Sequence, residues 1–178
     1  NNGVPMIEST FESFLLTNKE KFDAIHSKFF LEHMRDPKKV CEECYDLLNP
    51  NGIICFEVPN DFNILQKVVT DKLNKKQYWI APPEHINYFS MKSLQNLFKK
   101  TGFKPFYAES TFPLELFLLF GFDYIGNDKV GKKIHSMRMN LEKILHSTGN
   151  NLMKRDLYNY FATKGLGREI IVYAKKLK

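Results

Sequence analysis

Three histidines in the first half of the chain could carry proton transfer near neutral pH. His85 stands in Pro83-Glu84-His85, where prolines hold the backbone extended. Histidine suits the role of general base because its ordinary pKa lies near neutrality. We take His85 as the candidate base, with Glu84 orienting it or binding a hydroxyl group; the alternative is that His85 only ties its loop to the sheet. His33 is more typical of a histidine that holds a loop in place. His26 is more typical of a partly buried histidine whose hydrogen bonds are satisfied.

A strand–helix–strand pattern positions these residues. It consists of a strand at Phe22–Ile25, a helix opened by Asp36-Pro37, a turn at Asn49–Gly52 and a buried strand at Ile53–Val58. This spacing predicts a βαβ unit with parallel strands. Ligands of open parallel sheets bind at the carboxyl ends of the strands. The segments His26–His33 and Pro59–Asp61 are therefore the expected site.

Several short motifs recur in a recognisable order. They are FDAI at 22–25, LEH at 31–33, DP at 36–37, L-L-x-P-x-G at 47–52, EVPN at 57–60, PPEHINYFS at 82–90 and TGF at 101–103. Together they resemble the second half of class I S-adenosylmethionine-dependent methyltransferases, in the bacterial branch that acts on sugars and other small metabolites. The resemblance covers about Phe22 to Phe112, and again Gly167 to Lys175.

The resemblance implies an α/β fold: a Rossmann-like methyltransferase sheet, incomplete at its N-terminal side, with a helical insertion before the last strand. Residues 1–112 are expected to form the C-terminal half of the core, 113–166 a helical insertion (a cap or dimer contact), and 167–178 the final strand. That strand should run antiparallel between the family's fifth and sixth strands. Pro105 cannot donate to a ladder, which independently predicts that its strand lies at a sheet edge.

The implied cofactor is S-adenosylmethionine. A strand at Val4–Ile7 would lead into a turn beside the adenine, with apolar contact from Phe11 and polar contact from Thr10 or Glu12; the alternative is a frayed leading segment. Backbone groups following the next strand would touch the amino-acid end of the cofactor, namely those of Ser27, Lys28 and Phe29. The predicted acceptor contacts are His33, Asn60, Trp79 and Tyr88, of which Trp79 either stacks or simply packs.

One departure from the family pattern concerns the cofactor. A glycine-rich loop and an acidic ribose-binding residue are expected upstream of Phe22, and the sequence contains neither. Its one Gly-x-Gly, Gly165-Leu166-Gly167, precedes a strand and is interpreted as a turn. We therefore expect the C-terminal half of an enzyme, inactive on its own. The alternative is a non-catalytic interaction or assembly module derived from this fold. A third interpretation, a nicotinamide-binding domain, is less favoured, because the phosphate-binding loop of such a domain is also missing from the sequence.

Composition limits the function classes. The chain has 178 residues, 43% of them hydrophobic, and a net charge of +6 without a repeating basic-aromatic pattern, so we expect a globular domain that binds no nucleic acid. Three cysteines and no secretory leader favour the cytoplasm. Cys41 and Cys44 have a metal-like spacing but lie in a predicted helix without a second pair, so we predict no metal. The most apolar window, Phe112–Phe122, is too short to span a membrane.

The predicted reaction is in-line methyl transfer to a small acceptor, specifically a sugar hydroxyl or carbon in bacterial polysaccharide biosynthesis, with a nucleotide-linked sugar as a possible form. The positive net charge would modestly favour such an acidic partner. The strand at Phe22–Ile25, central in the family, should be an unpaired edge here. Because exposed edges invite pairing, we also expect a homodimer.

Overall fold

The protein folds into one sheet with helices on its faces. The computed structural model describes Gly3 and residues 5–177. Its helices are α1 (Phe11–Thr17), α2 (Pro37–Leu47), α3 (Ile64–Leu73), α4 (Met91–Lys100), α5 (Glu115–Leu119), α6 (Asp128–Ser147) and α7 (Asn151–Thr163). Its strands are β1 (Phe22–Lys28), β2 (Leu48–Pro59), β3 (Phe103–Ser110) and β4 (Glu169–Lys176), and a 3₁₀ turn lies at Leu31–His33.

The four strands lie in the order β1-β2-β4-β3. β1 is parallel to β2, with Ile25 opposite Ile54 and Ser27 opposite Phe56. β4 is antiparallel to both of its neighbours. This is the predicted arrangement: a βαβ unit, a last strand inserted antiparallel, and the strand that contains Pro105 at an edge. The carboxyl ends of β1 and β2 therefore meet at one end of the sheet.

The start of β2 differs from the prediction. The expected turn at Asn49–Gly52 lies inside the strand as a bulge, because Leu48 pairs with Phe22 and Ile53 already pairs with Ala24. A Cβ at Gly52 would lie 2.9 Å from the Asn49 carbonyl oxygen, so this bend requires glycine.

The core lies on the face of the sheet that α2 and α4 cover. It contains alternate residues of the strands and the apolar sides of both helices: Val40, Cys41, Cys44, Ile54, Phe56, Val58, Leu94, Phe98, Ile170, Val172 and Ala174. α2 begins as predicted, with the Asp36 carboxylate accepting from the Lys39 amide at 2.9 Å. Ser90 likewise caps α4. Asp61, a cap candidate by residue type, does not begin α3. Asn63 holds that position, because its side chain accepts from the Leu65 and Gln66 amides.

The N-terminal segment was predicted as a strand, with a frayed leading segment as the alternative, and residues 5–7 contain no strand. Val4 lies outside the described residues, and residues 5–9 form no regular element. Met6 and Ile7 are 80% and 71% exposed, so they lack the buried surface that holds a strand. A helix follows instead, because the Thr10 side chain accepts from the Ser13 amide at 3.1 Å and starts α1.

The insertion forms α5, α6 and α7, and α7 packs on β3. The predicted apolar stripe of α6 is only partly buried: Ile134 is 2% exposed, whereas Met137, Leu141 and Ile144 are 37–50% exposed. Within the described part of the chain, no helix combines the length and apolar character that crossing a membrane requires.

Candidate functional site

The backbone immediately after β1 is hydrogen-bonded to β2. Phe29 adopts a left-handed conformation (φ 50°), and its amide donates to the Glu57 carbonyl at 3.0 Å. The Lys28 ammonium pairs with the Glu57 carboxylate at 2.8 Å and lies 4.9 Å from the centre of the Phe29 ring. The Phe29 amide is thus not available to a cofactor, although Ser27 keeps the predicted position near the end of the strand.

The Pro-Glu-His loop is tied to the 3₁₀ turn that follows β1. The amides of Ile86 and Asn87 both donate to the Glu32 carbonyl at 3.0 Å. The ring of His33 donates from Nδ1 to the Glu84 carbonyl at 2.7 Å, and its centroid lies 4.9 Å from that of His85. The two histidines that were predicted separately, one for the acceptor and one as base, therefore belong to one site.

Glu84 contributes to this site differently from the prediction. Its carboxylate is exposed, and in the described part of the chain it makes no hydrogen bond or ion pair. What Glu84 orients is His33, through its backbone carbonyl, rather than His85. His26, predicted to be partly buried, is an exposed strand residue.

Aromatic side chains surround His85 on one side. Tyr88 lies 6.4 Å from His85 and 5.9 Å from Phe62 between ring centroids, and Trp79 lies 5.8 Å from Phe62. Trp79 is only 6% exposed, so it packs edge-on against Phe62 and presents little ring face to a ligand. Phe62 was not predicted. It is 59% exposed, and φ 57° turns it outward at the end of β2.

Asn60 has an architectural position. It is 1% exposed, and its side-chain amide donates to the Gly165 and Gly167 carbonyls at 2.9 and 3.0 Å. Its carbonyl accepts from the Asn63 side chain at 3.0 Å. This residue joins the end of β2 to the turn before β4, a geometry that does not favour the predicted acceptor contact.

Three buried carboxyl groups at this end of the sheet had no predicted role, although two of them lie in the segments that were expected to form the site. Glu32, Asp61 and Glu115 are at most 3% exposed, and each has an oxygen without a hydrogen-bond partner among the described residues. Burial raises the pKa of Asp61 to about 6 and also raises that of Glu115, while the charge of Arg168 opposes both shifts. One signal was visible: Glu115 is the single charge in the most apolar window of the sequence.

Two pockets are lined by residues at the end of β1 or in the turn that follows it. The first, called here the Glu12 pocket, has a volume of about 360 Å³ and is lined by Glu12, His33, Met34, Arg35, Asp36, Lys39, Val40 and Glu43. The second, the Arg168 pocket, has about 270 Å³ and is lined by Lys28, Phe29, Glu57, Thr111, Phe112, Leu114, His135, Arg138, Arg168 and Glu169. His33 and Glu12, predicted for acceptor and cofactor respectively, thus line the same pocket, the Glu12 pocket. Lys28 and Phe29, predicted for the cofactor, line the Arg168 pocket.

The remaining predicted cofactor residues, Thr10 and Phe11, do not line the Glu12 pocket. Thr10 is the N-cap of α1, and the Phe11 ring packs against Phe30 with centroids 5.8 Å apart. Of the three residues at this turn, Glu12 is the one whose side chain lines a pocket.

Comparison with known proteins identifies the family of this chain. A family model described as a methyltransferase domain matches residues 4–107, more than half of the chain. The chain belongs to this methyltransferase family. A solved S-adenosylmethionine-dependent methyltransferase from Archaeoglobus fulgidus superposes with a TM-score of 0.55 at 16% identity, covering 98% of this chain and 69% of that one. The predictions of a class I methyltransferase family, a Rossmann-like fold and S-adenosylmethionine as the family's cofactor are confirmed.

Curated relatives match only part of this chain. A ubiquinone biosynthesis O-methyltransferase of Actinobacillus pleuropneumoniae serotype 7 (strain AP76) is 26% identical over 103 residues, which cover 49% of this chain and 44% of the relative. The enzyme of that name from Vibrio atlanticus (strain LGP32) is 29% identical over 102 residues, covering 51% and 43%. The matched segment thus spans less than half of these relatives.

Proposed function

We propose that this protein transfers a methyl group from S-adenosylmethionine to a hydroxyl of a small, anionic acceptor. The observation that carries the proposal is the tie between the turn after β1 and the Pro-Glu-His loop, which brings His33 and His85 together at the carboxyl ends of the parallel strands. Such an end is where open α/β sheets bind ligands.

The Glu12 pocket fits the donor. It borders the turn after β1, and the Glu12 carboxylate can accept from an adenine amine. When bound, S-adenosylmethionine supplies an electrophilic methyl on a positively charged sulfonium. The buried, uncompensated carboxylate of Glu32 would favour that positive charge at the adjoining turn.

The Arg168 pocket suits an anionic acceptor. Three cationic side chains, Lys28, Arg138 and Arg168, line it together with the carboxyl groups of Glu57 and Glu169. Lys28 pairs with Glu57 and Arg138 with Glu142, whereas Arg168 makes no ion pair in the described chain. Arg138 comes from α6, which supports the role of the insertion as a cap. The pyrophosphate of a nucleotide-linked sugar would match these charges. A sugar hydroxyl in bacterial polysaccharide biosynthesis remains our specific prediction for the acceptor.

His85 is the proposed base. Removal of the hydroxyl proton by a positioned side chain contributes typically 10²–10⁴-fold to a rate, and alignment of donor and acceptor supplies much of the rest. The buried Nδ1 of His85 has no partner among the described residues, so the ring keeps an uncommitted nitrogen. Tyr88 beside it is the proposed acceptor contact.

The second candidate function is a non-catalytic interaction or assembly module. The observation that favours it is the absence from this sequence of a glycine-rich turn that opens a helix after a strand. A module of this kind would keep the sheet and its helices without binding the donor.

Calorimetric titration with S-adenosylmethionine separates the two functions. We expect residues 1–178 alone to give no heat, and the full chain encoded by the gene to bind and then to label a nucleotide-linked sugar from methyl-tritiated donor. If the full chain binds the donor but methylates only a phenolic acceptor, the proposed acceptor changes from a sugar to an aromatic hydroxyl. The absence of heat from both chains would contradict the enzyme and leave the interaction module.

A further inference from the structure

Three side chains converge beside the Pro-Glu-His loop in a way that methyl transfer alone does not explain. Glu32, His33 and His85 each direct one potential ligand atom into a space in which all three atoms lie within 4.8 Å of one another. Glu32 and His33 belong to the 3₁₀ turn after β1, and His85 arrives from the distant loop. The backbone fixes this meeting, because the Glu32 carbonyl accepts from the two amides that follow His85.

The carboxylate of Glu32 is buried without compensation. Its side chain is 1% exposed, and neither oxygen has a hydrogen-bond partner among the residues that the structure describes. The nearest cationic candidate, His33 Nε2, lies 3.8 Å from Oε1, beyond hydrogen-bond distance. A buried charge of this kind is costly unless a counter-charge or a metal ion accompanies it.

The hydrogen bond of His33 fixes which of its nitrogens is free. A carbonyl oxygen can only accept, so the bond to the Glu84 carbonyl at 2.7 Å places the hydrogen on Nδ1. The neutral ring then directs the lone pair of Nε2 toward Glu32. A backbone carbonyl that holds the other ring nitrogen is the usual support of a metal-ligating histidine.

The third group completes the donor set. His85 has a buried Nδ1 without a partner in the described chain, and its ring lies edge-on to that of His33. Two imidazoles and one carboxylate are ligands that zinc and other borderline divalent cations accept, and three protein ligands leave a coordination position for a water or substrate. Ligands of a tetrahedral zinc ion lie roughly 3.4 Å apart at bond lengths near 2.1 Å. The exposed ring of His33 has room for the small closure required.

We infer that Glu32, His33 and His85 form a binding site for one divalent cation of the zinc, cobalt or manganese class. The role of the cation rests on the proposed function. A hydroxyl bound at the open position loses its proton more readily, so the cation would take over the activation assigned above to His85. The sequence analysis predicted no metal, because it weighed only the cysteine pair, which the structure places in the core.

The test measures metal binding by the untagged chain without S-adenosylmethionine, so its outcome is independent of the proposed function. After treatment with a chelator, the protein is titrated with ZnCl₂ by calorimetry and with CoCl₂ by visible absorption. We expect one cation per chain, cobalt bands of low-symmetry nitrogen and oxygen coordination, and a rise in melting temperature on adding zinc.

Three variants locate the site. Glu32→Gln keeps the shape and removes the buried charge, so it should fold and bind zinc at least tenfold more weakly. His33→Gln and His85→Gln should weaken binding by a similar factor, whereas the exposed His26→Gln should bind like the unchanged protein. Zinc binding that none of the three substitutions weakens, intense cobalt–thiolate absorption, or no binding at all would each overturn the site.

Discussion

The imidazole rings of His33 and His85 meet edge to face, with 4.9 Å between their centroids. They come from parts of the chain that are distant in sequence, and they meet because the Glu32 carbonyl binds the amides on the far side of His85. This contact joins the turn that follows the edge strand β1 to the Pro-Glu-His loop. The catalytic account and the cation site both depend on it.

Replacing His85 should impair catalysis while replacing Glu84 should not. We expect His85→Ala to lower kcat by about 10²- to 10⁴-fold, because it removes the proposed base. Glu84→Gln should change kcat less than about threefold, because the backbone carbonyl, rather than the carboxylate, orients His33. Steady-state methyl transfer from radiolabelled donor measures both variants in the full chain, and a Glu84→Gln loss as large as that of His85→Ala would restore the carboxylate to the mechanism.

Asp61 should make the protein less stable as the pH rises. Burial raises its pKa from 3.8 to about 6, so between these values the folded state holds a proton that the unfolded state has lost. The free energy of unfolding therefore falls as the pH rises through this window, by at most about 2–3 kcal/mol from this group. Relative to the unchanged protein, Asp61→Asn should be stabilised at pH 7 more than at pH 4.

Urea unfolding at the two pH values measures this difference. The asparagine keeps an oxygen that can accept from the Phe89 amide, so the substitution mainly removes the titration. A stability difference between the two proteins that does not change with pH would show that Asp61 titrates alike in the folded and unfolded states.

Substitution of Gly167 should lower the stability of the protein more than substitution of Gly149. A Cβ at Gly167 would lie 2.4 Å from the Ser110 Oγ and 2.6 Å from the Thr111 carbonyl, whereas one at Gly149 meets nothing within 4 Å. Both residues have positive φ, 104° and 76°, so Gly149→Ala controls for backbone strain. We expect Gly149→Ala to cost about 1 kcal/mol and Gly167→Ala about 3 kcal/mol by urea unfolding. Equal costs would contradict this packing.

Arg168 should select for negative charge on the acceptor. We expect Arg168→Gln to raise KM about tenfold or more for a nucleotide-linked sugar, because a charge-assisted contact is lost, and to change KM little for the uncharged sugar. Arg155→Gln is the matched control, because Arg155 is exposed and not among the pocket residues. An equal rise in KM for charged and neutral acceptors would assign Arg168 a structural role.

The edge of the sheet at β1 should support dimerisation. In the described part of the chain β1 pairs on one side only, with β2, and an exposed strand edge invites pairing with a second copy. We expect light scattering of residues 1–178 to give a mass that rises toward a dimer with concentration. A constant monomer mass at high concentration would exclude this mode of association.

Local chemistry explains which parts of the fold could be predicted. The cap at Asp36, the continuous apolar run of β2 and the edge position implied by Pro105 depend on neighbouring residues in the sequence, and the structure confirms each. The strand expected to start at Val4 does not form at residues 5–7, because a strand also requires a partner in space. Asp61 and Asn63 were equally good caps by residue type, and only the folded backbone decides between them.

The site was harder to predict because its residues meet across the chain. His33 and His85 were predicted for one active site, but no local pattern near His85 indicates that the two rings are in contact. Glu32 lies in a segment that was expected to form the site, but it had no predicted role. Arg138 reaches its pocket from the insertion, whose helical periodicity indicated a stripe but not the direction of the polar side. Tertiary contacts of this kind follow from the packing of helices on the sheet and not from any local pattern.

The most direct test of the account is a crystal structure of the full chain with S-adenosylhomocysteine. The account predicts the adenosine in the Glu12 pocket and the sulfur facing His33 and His85, with room for one acceptor atom between the sulfur and His85. A ligand bound on the other face of the sheet, or one whose sulfur is directed away from both histidines, would contradict it.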